Sequence, residues 1–445
     1  MYAFTGVSAI VDRDDMKKNI AIIGAGPAGL MAAVVAGHEP DVRVVLYEKN
    51  PQPGAKLLIS GSGQCNIASA GSLPERLRHY PDHVRDFLRP SLKAASLSRI
   101  LDWFVSHGVR FELRHAGRRQ PLSVHRAEQG EGKIFPLAGG AALIRDVLVR
   151  EFLEHKGEFH GQEGVQKIEK TGYGFVITTN SHNSSREYDA VICATGGYTW
   201  PKTGSTGDGY RFARELGHTI VPSVPALTAI ICPEEEIRGM SGVALRDVRV
   251  RIERAGMLLD VERAGDVLFT HRGLSGPAIL DASYAMQRGD HVLIRCLDDE
   301  RAAAMESGIL EKADREGSLR LSRIIESTGL PKAVQDLCLE RLGLDRADRL
   351  ATLGKKRISA LVVMLKNLRY RVVDLVGPDQ AMCTAGGVAL GEIDSTTMAS
   401  KIVPGLFFCG EVMDIHGDCG GYNIHAALAT GWVAGSNAAG SVVRP

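Results

Sequence analysis

The segment NIAIIGAGPAGLMAAVVA, residues 19–36, decides the fold of this chain. It opens with a short apolar run rich in β-branched residues, which is typical of a buried strand. Gly24, Gly26 and Gly29 follow with the GxGxxG spacing of a tight turn between a strand and a helix. In that motif the first glycine permits the turn, the second lets the backbone approach a pyrophosphate, and the third allows close helix packing. The N–H groups at the helix N-terminus then bind the anion.

A second predicted strand, residues 42–47, supports a dinucleotide site. It ends in Glu48, about twenty residues after the turn, where a carboxylate accepts hydrogen bonds from the adenosine ribose hydroxyls. A carboxylate at this position disfavours a 2′-phosphate. No further strand with a GxGxxG turn follows Gly29. The sequence therefore predicts no separate NAD(P)H-binding Rossmann domain.

Three later segments favour FAD over NAD as the bound dinucleotide. FAD is a long, permanently bound ligand, so the protein must hold it along its whole length. DAVICATGG (residues 189–197) and GLFFCGE (residues 405–411) each predict a buried strand ending in a turn or an acid, and GGYN (residues 420–423) opens an Ala-rich helix. The positive end of that helix dipole can face the flavin. We therefore expect bound FAD, with NAD(P)H as a transient electron donor.

Four segments resemble the bacterial flavoproteins of the YhiN or BaiN-like family. They are KLLISGSGQCN (56–66), THRGLSGP (270–277), TMASK (397–401) and GEVMDIHGDCGGYN (410–423). The resemblance runs from about Asn19 to Gly435. It implies an α/β fold in which a discontinuous, glutathione-reductase-type Rossmann FAD domain carries an inserted β-barrel-like substrate domain and a helical subdomain. Ala55 and Gln64 stand where the family usually has arginines, which leaves the substrate open.

Changes in pattern along the chain predict its domain boundaries. Apolar segments interrupted by prolines between Val221 and Ile252 indicate a β-rich domain, and the charged segment from Glu300 to Tyr370 has helical spacing. The prediction is an FAD-binding domain at 1–198 and 384–445, with 1–17 as an extension outside the fold, a β-rich substrate domain at 199–300 and 371–383, and a helical insert at 301–370.

The composition of the 445-residue chain is that of an ordinary globular protein, with 44% hydrophobic residues and a formal net charge of +1. Such a charge supplies no steering field for nucleic acid. No apolar run reaches the roughly 18–20 residues of a membrane span, and Asp12, Asp14 and Asp15 interrupt any signal peptide. The eight cysteines include no CxxC pair and no Cys/His cluster at zinc spacing. We expect a cytoplasmic protein with reduced thiols, no metal site and no membrane partner.

The predicted cofactor contacts come from these motifs and from the loop after the second strand. They are Gly24, Gly26, Pro27, Ala28, Gly29, Glu48, Lys49, Lys56, Leu57, Gly61, Gly63, Cys65, Asn66, Ala194, Thr195, Gly196, Gly410, Glu411, Gly420, Gly421, Tyr422 and Asn423.

Candidates for the chemistry crowd into the loop before the last helix. They are Asp414, His416, Cys419 and Tyr422, with His271 as a further candidate in the substrate domain. Each could act as an acid near the flavin or only shape its loop. Cys65 and Cys419 suggest a thiol–flavin relay, although a small buried residue explains a lone cysteine more simply.

Three functions stay open at this point. The first is an FAD-dependent oxidoreductase that reduces an activated C=C bond or oxidises a small amine or C–H substrate. The second is a flavin-dependent enzyme that modifies a base of tRNA or rRNA. Two basic stretches would then grip phosphates: Arg110, Arg114, Arg118, Arg119 and Arg126, and Lys355–Arg357 with Arg369 and Arg371. The third is a flavin-bound redox sensor without turnover.

Overall fold

The computed structural model describes residues 17–115, 117–181, 185–315 and 318–440. The chain divides into two compact units, one comprising residues up to 224 and from 383 onward, the other residues 225–382. We call them the first and the second unit. The first unit continues to Val224, beyond the boundary predicted at residue 198. Residues 1–16 of the predicted extension lie outside the described residues.

Helices and strands alternate at the start of the chain, and longer runs of strands or of helices follow. The strands are β1 (Lys18–Ile23), β2 (Val42–Tyr47), β3 (Ala68–Ala70), β4 (Phe111–His115), β5 (Arg118–Pro121), β6 (Gly132–Pro136), β7 (Glu158–His160), β8 (Val165–Lys170), β9 (Phe175–Thr179), β10 (Ser185–Tyr188), β11 (Ala190–Cys193), β12 (Ile220–Ala226), β13 (Ile230–Ile231), β14 (Ala244–Arg254), β15 (Met257–Phe269), β16 (Gly273–Ser275), β17 (His291–Arg295), β18 (Asn367–Arg371), β19 (Asp374–Leu375), β20 (Cys383–Val388) and β21 (Leu406–Phe408). The helices are α1 (Pro27–Gly37), α2 (Ala55–Ile59), α3 (Leu73–Leu77), α4 (Asp82–Ala94), α5 (Leu97–Ser106), α6 (Gly140–Glu154), α7 (Asp208–Glu215), α8 (Glu234–Ile237), α9 (Pro277–Ala282), α10 (Asp299–Arg315), α11 (Leu321–Glu326), α12 (Lys332–Leu342), α13 (Lys355–Lys366) and α14 (Tyr422–Ala439).

A five-stranded parallel sheet with the order β21-β11-β1-β2-β7 organises the first unit. Ile22 of β1 lies opposite Ile192 of β11 on one side and Leu46 of β2 on the other. These strands are apolar because other elements cover a parallel sheet on both faces. The carboxyl ends of parallel strands share one edge, so the turn after β1, the acid after β2 and the segments after β11 and β21 meet there.

Three smaller sheets complete the first unit: β3-β6-β4-β5, β10-β9-β8, and β12 with β20. The loop predicted at residues 57–63 is partly helical, since α2 covers Ala55–Ile59 and a 3-10 turn covers Ser60–Gly63. Leu57 is buried in α2, and the N–H of Leu58 donates to the carbonyl of Gly54 at 3.0 Å, as in a regular helical turn. Burial of Leu57 favours the helical turn at this point.

The second unit contains a seven-stranded sheet with the order β18-β17-β14-β15-β16-β13-β19 and the helices α8 to α13. It has its own hydrophobic core, built from residues between Ile230 and Val372. In the predicted β-rich segment 371–383 the chain changes partners between β18 and β19. The N–H of Val372 bonds to Asp290, whereas the N–H of Val373 bonds to Ile231. None of the described helices is long and apolar enough to cross a membrane.

Candidate functional site

The turn between β1 and α1 has the geometry that a pyrophosphate needs. Gly24 has φ +100°, and a Cβ there would lie 2.6 Å from the carbonyl oxygen of Ala194. A Cβ on Gly29 would lie 1.9 Å from the carbonyl oxygen of Gly24. A Cβ on Gly26, in contrast, would meet nothing within 4 Å. Gly24 and Gly29 are therefore required by the protein's own packing, while the space at Gly26 is open to a ligand at the N-terminus of α1.

Glu48 follows β2 and bonds to the same turn. One carboxylate oxygen accepts from the N–H of Ala25 at 2.9 Å, and the other accepts from the backbone N–H and the side-chain amide of Asn50, each at 2.9 Å. Lys49, also predicted as a cofactor contact, bonds through Nζ to Asp208 at 2.5 Å. Glu48 thus stiffens the turn, and its carboxylate lies at the sheet edge where a ribose would bind.

The segments 56–66 and 410–423, far apart in sequence, are brought together through the start of β3. The Ser69 hydroxyl donates to the carbonyl of Gly420 at 2.7 Å. Gly421 has φ +85°, and a Cβ there would lie 2.7 Å from both the Asn66 carbonyl oxygen and the Ala68 nitrogen. The side-chain oxygen of Asn66 is buried and has no hydrogen-bond partner among the described residues. A buried acceptor without a partner is an expected point of contact for a donor on a ligand.

An ion pair joins α2 to the end of β21. The Lys56 ammonium donates to the Glu411 carboxylate at 3.0 and 3.1 Å and to the Thr199 hydroxyl at 2.8 Å. Glu411 also accepts from the N–H of Thr384 at 2.7 Å. A Cβ on Gly197 would lie 2.7 Å from this carboxylate, so the glycine turn after β11 is needed for the cluster. The sequence predicted Lys56 and Glu411, but no pattern indicated Thr199 or Thr384.

The candidates for chemistry in the loop before α14 have different surroundings. Asp414 is buried and accepts from the N–H of Gly386 at 2.9 Å, and its other oxygen lies 3.4 Å from Nε2 of His83. His416 is also buried. The Tyr422 ring stacks on His79 with centroids 4.3 Å apart, and this histidine was not predicted. Asp414 and His416 therefore lie in the loop before α14, and Tyr422 is the first residue of that helix. His83 of α4 lies beside Asp414, and His79, before α4, lies on Tyr422.

His271 lies in the second unit, in the turn that precedes β16, and its side chain is exposed. Its catalytic role stays a prediction.

Burial determines the protonation state of the Cys65 thiol. Cys65 is fully buried, and burial raises the pKa of its thiol to about 12. The thiol is therefore protonated at neutral pH, which is the wrong form for a nucleophile in a thiol–flavin relay. Cys419 is only partly buried. The eight cysteines all lie in the described residues and form no disulfide with one another, as the sequence predicts.

Arg76 and His425 form a buried pair that the motifs did not reveal. Nη1 of Arg76 lies 3.3 Å from Nδ1 of His425, and Nε donates to the carbonyl of Gly71. Burial, together with the charge of Arg76, holds the pKa of His425 well below its usual value. The imidazole is neutral, and since an arginine only donates, Nδ1 is the acceptor and Nε2 carries the proton. Nε2 has no partner among the described residues.

The other predicted cofactor residues lie in or next to the turns that connect these elements. Gly61 and Gly63 lie in the 3-10 turn after α2, and Asn423 bonds through its amide to both backbone groups of Gly417, at 2.8 and 2.9 Å. The remaining ones flank the ends of β11 and β21 or begin α1: Pro27, Ala28, Ala194, Thr195, Gly196 and Gly410. We propose that the carboxyl edge of the parallel sheet holds FAD, with the pyrophosphate at Gly26 and the flavin beside Asn66 and the start of α14.

The family described as "HI0933-like protein Rossmann domain" matches residues 18–437. The chain belongs to this family. Its fold class is therefore confirmed as α/β with a Rossmann FAD domain, and it is an FAD-dependent oxidoreductase. The resemblance to YhiN and BaiN-like flavoproteins is confirmed as well.

Two relatives are similar over nearly their whole length. The ribosomal RNA dihydrouridine synthase of Escherichia coli (strain K12) is 30% identical over 92% of this chain and 95% of the relative. The 3-dehydro-bile acid delta(4,6)-reductase of Clostridium scindens is 28% identical over 94% of this chain and 98% of the relative.

Among solved structures, 3-ketosteroid-delta4-(5alpha)-dehydrogenase from Rhodococcus jostii RHA1, in complex with 4-androstene-3,17-dione, has a TM-score of 0.52. The identity is 14%, and the likeness covers 97% of this chain and 98% of that chain. At this identity it shows a shared fold.

Proposed function

We propose that this HI0933-like protein reduces a C=C bond conjugated with a carbonyl group. The observation that carries the proposal is the chemistry common to its two full-length relatives. Dihydrouridine is uridine whose C=C bond next to a carbonyl has been reduced, and a 3-dehydro bile acid with a neighbouring double bond is an enone. The substrates differ, but the reacting group is the same. The alternative direction, oxidation of a small amine, has no such support.

The chain's own part in this reaction is to position the substrate and supply a proton. When bound and reduced, FAD would supply the hydride for the carbon β to the carbonyl. The α carbon then takes a proton from an acid. Asp414 accepts from the N–H of Gly386 and lies 3.4 Å from Nε2 of His83, so its carboxylate is held as an acceptor that positions the loop. We assign the proton donor to His416, which is buried two residues further on.

The test is anaerobic spectroscopy on the FAD-loaded protein. Flavin reduced by NADH or NADPH should be reoxidised by an acceptor that contains the conjugated C=C bond, either a steroid enone or an unmodified rRNA transcript. His416→Gln should slow this reoxidation at least about tenfold with unchanged flavin content. His125→Gln, a change at an exposed histidine, should leave the rate unchanged. A flavin that neither nicotinamide nor either acceptor changes would instead indicate the redox sensor.

A second candidate, with RNA as the substrate, is favoured by one surface of the first unit. Arg118 and Arg119 are exposed on β5, and Arg110 is exposed just before β4. Arg114, in contrast, pairs with Glu112 at 2.6 Å and also bonds to Gln64. The strand β3 at the other side of this sheet carries Ser69, which bonds to Gly420. By the spacing of strands, β5 is about 14 Å from β3, a distance that a nucleotide chain spans readily.

This candidate predicts salt-dependent RNA binding. For each phosphate that a variant no longer neutralises, the slope of log K against log salt should become shallower by about one. The double change Arg118→Ser, Arg119→Ser should therefore weaken rRNA binding and flatten the slope, without changing reoxidation by a small enone. Lys355→Ser with Lys356→Ser, in the exposed start of α13, tests the second basic stretch in the same way. Equal binding by both double variants and the unchanged protein would favour the small-molecule substrate.

A further inference from the structure

A cluster of histidines surrounds a buried glutamate in the first unit. None of these residues is a predicted FAD contact. His38, His107 and His155 each cap the C-terminus of a helix, α1, α5 and α6 respectively. Glu151 lies one turn before His155 on α6, and its side chain is only 8% exposed. We call these four residues the His–Glu cluster. Helices from three separate parts of the chain bring it together.

The carboxylate of Glu151 is the centre of the cluster. One oxygen lies 3.4 Å from Nε2 of His38 and 3.6 Å from Nδ1 of His155, and the other lies 3.2 Å from Nε2 of His107. Among the described residues, its ion-pair partners are all histidines. A buried carboxylate requires a compensating positive charge, and a neutral imidazole does not supply one.

Hydrogen bonds to backbone carbonyls fix the tautomers of two rings. Nδ1 of His107 lies 2.6 Å from the carbonyl oxygen of Trp103, and Nδ1 of His155 lies 3.0 Å from the carbonyl oxygen of Glu151. A carbonyl only accepts, so each Nδ1 carries a proton and, in a neutral ring, Nε2 carries the lone pair. For His107 that lone pair would point at a carboxylate oxygen 3.2 Å away. Such a contact needs a cation between the two atoms or a proton on the ring.

The same pattern is the usual support for a metal-binding histidine, which donates its other N–H to a carbonyl or carboxylate. The rings of His38 and His155 lie with centroids 4.0 Å apart, which is unfavourable for two imidazolium ions.

We propose that His38, Glu151 and His155 bind one divalent transition-metal ion of the zinc type, with Nε2 of His107 protonated and donating to the second carboxylate oxygen. One ligand atom from each of the three residues lies within 4.8 Å of the other two. Neighbouring ligand atoms of a tetrahedral zinc ion are about 3.3 Å apart, and Nε2 of His38 is already 3.4 Å from the carboxylate. The two nitrogens and one oxygen leave a fourth position for water, and the exposed edge of His38 gives the ion access from solvent.

The role that this site supports is structural. The ion would join the C-termini of α1 and α6, whose last carbonyls carry partial negative charge. A cation there is favoured by both helix ends as well as by the glutamate. Sequence spacing did not indicate the site, since only Glu151 and His155 are neighbours on one helix.

The experiment is a titration of the FAD-loaded, full-length, untagged protein with cobalt(II) after chelator treatment. Cobalt(II) in a tetrahedral N/O site absorbs at longer wavelength than oxidised flavin, and thiolate ligation would add a separate charge-transfer band. We expect one equivalent of cobalt(II) to bind without producing the thiolate band, and zinc(II) to displace the bound cobalt(II). The melting temperature of the protein should rise when the site is saturated. The absence of a one-to-one cobalt(II) spectrum would overturn the proposal.

Matched variants separate this site from other histidines and from the cysteines. His38→Gln and His155→Gln replace partly exposed side chains, so both should fold, with unchanged flavin content as the check. Each should weaken cobalt(II) and zinc(II) binding at least about tenfold. His125→Gln should bind as the unchanged protein does. Equal affinity in all variants would place the ion elsewhere and refute the assignment.

Discussion

Gly26 differs from the other two glycines of the turn in what surrounds it. A side chain there would contact no protein atom, whereas one at Gly24 or Gly29 would collide with backbone. Gly26→Val should therefore leave the folded apo-protein intact and abolish FAD binding, because the new side chain would occupy the position of the pyrophosphate. Gly29→Ala is the comparison and should destabilise the protein itself. Flavin content and the melting temperature of each apo-protein check this, and full occupancy in Gly26→Val would show that the turn does not hold FAD.

His425 should make stability depend on pH. Its pKa lies well below that of an unfolded histidine, so below the unfolded value of about 6.5 the unfolded chain binds a proton that the folded chain does not. Stability is fully present above that pH and falls as the pH drops, by up to ~1.4 kcal/mol per pH unit from this residue. His425→Gln should remove that part of the slope.

Urea unfolding of the apo-protein between pH 5 and pH 7 measures the slope. The three tryptophans, Trp103, Trp200 and Trp432, all lie in the first unit, so their fluorescence reports the unit that contains His425. His125→Gln, at an exposed position, serves as the control. An unchanged slope in His425→Gln would mean that the imidazole is charged in the folded protein.

At the scale of elements, α1 and α14 pack with their backbones in close approach. A Cβ on Gly431 would lie 2.2 Å from the carbonyl oxygen of Ala28, and one on Gly435 would lie 2.5 Å from that of Ala32. Gly431→Ala or Gly435→Ala should separate the helices and destabilise the first unit by about 1–3 kcal/mol. Because both helices begin at the proposed FAD site, affinity for FAD should fall too. Gly172→Ala, where a Cβ meets nothing within 4 Å, should change neither quantity.

The glycine before α14 illustrates why packing must be known before a variant is chosen. The loop position of Gly421 suggests that a bulky residue there would test whether the helix faces the flavin. The structure shows that a Cβ at Gly421 would first meet the backbone of Asn66 and Ala68. Gly421→Val would therefore disturb the packing of these segments whether or not flavin is bound. Asn66→Leu is the sharper variant, since it removes the buried acceptor and should lower flavin occupancy.

At the scale of the whole molecule, the cofactor should stabilise the unit that contains all of its predicted contacts. Removal of FAD should lower the melting temperature of the tryptophan transition, and readdition should restore it. At a free FAD concentration of about one hundred times Kd, linkage gives ~2.7 kcal/mol. FMN, which lacks the adenosine half that Gly26 and Glu48 are proposed to hold, should stabilise the protein much less. Equal shifts with FMN and FAD would contradict the predicted role of the turn and of Glu48.

Features that depend on local spacing could be predicted from the amino-acid sequence. The GxGxxG turn, β1, β2 and the helix that follows GGYN were all predicted, since a strand, a turn and a helix are specified by residues close together in the chain. The reduced state of the cysteines and the class of cofactor were also predicted from the sequence. Only the tertiary structure decided which distant residues meet. Lys56 reaches Glu411, Ser69 reaches Gly420, and His38 reaches Glu151 because the parallel sheet and the packed helices bring chain segments together. Spacing along the chain carries no record of such pairings.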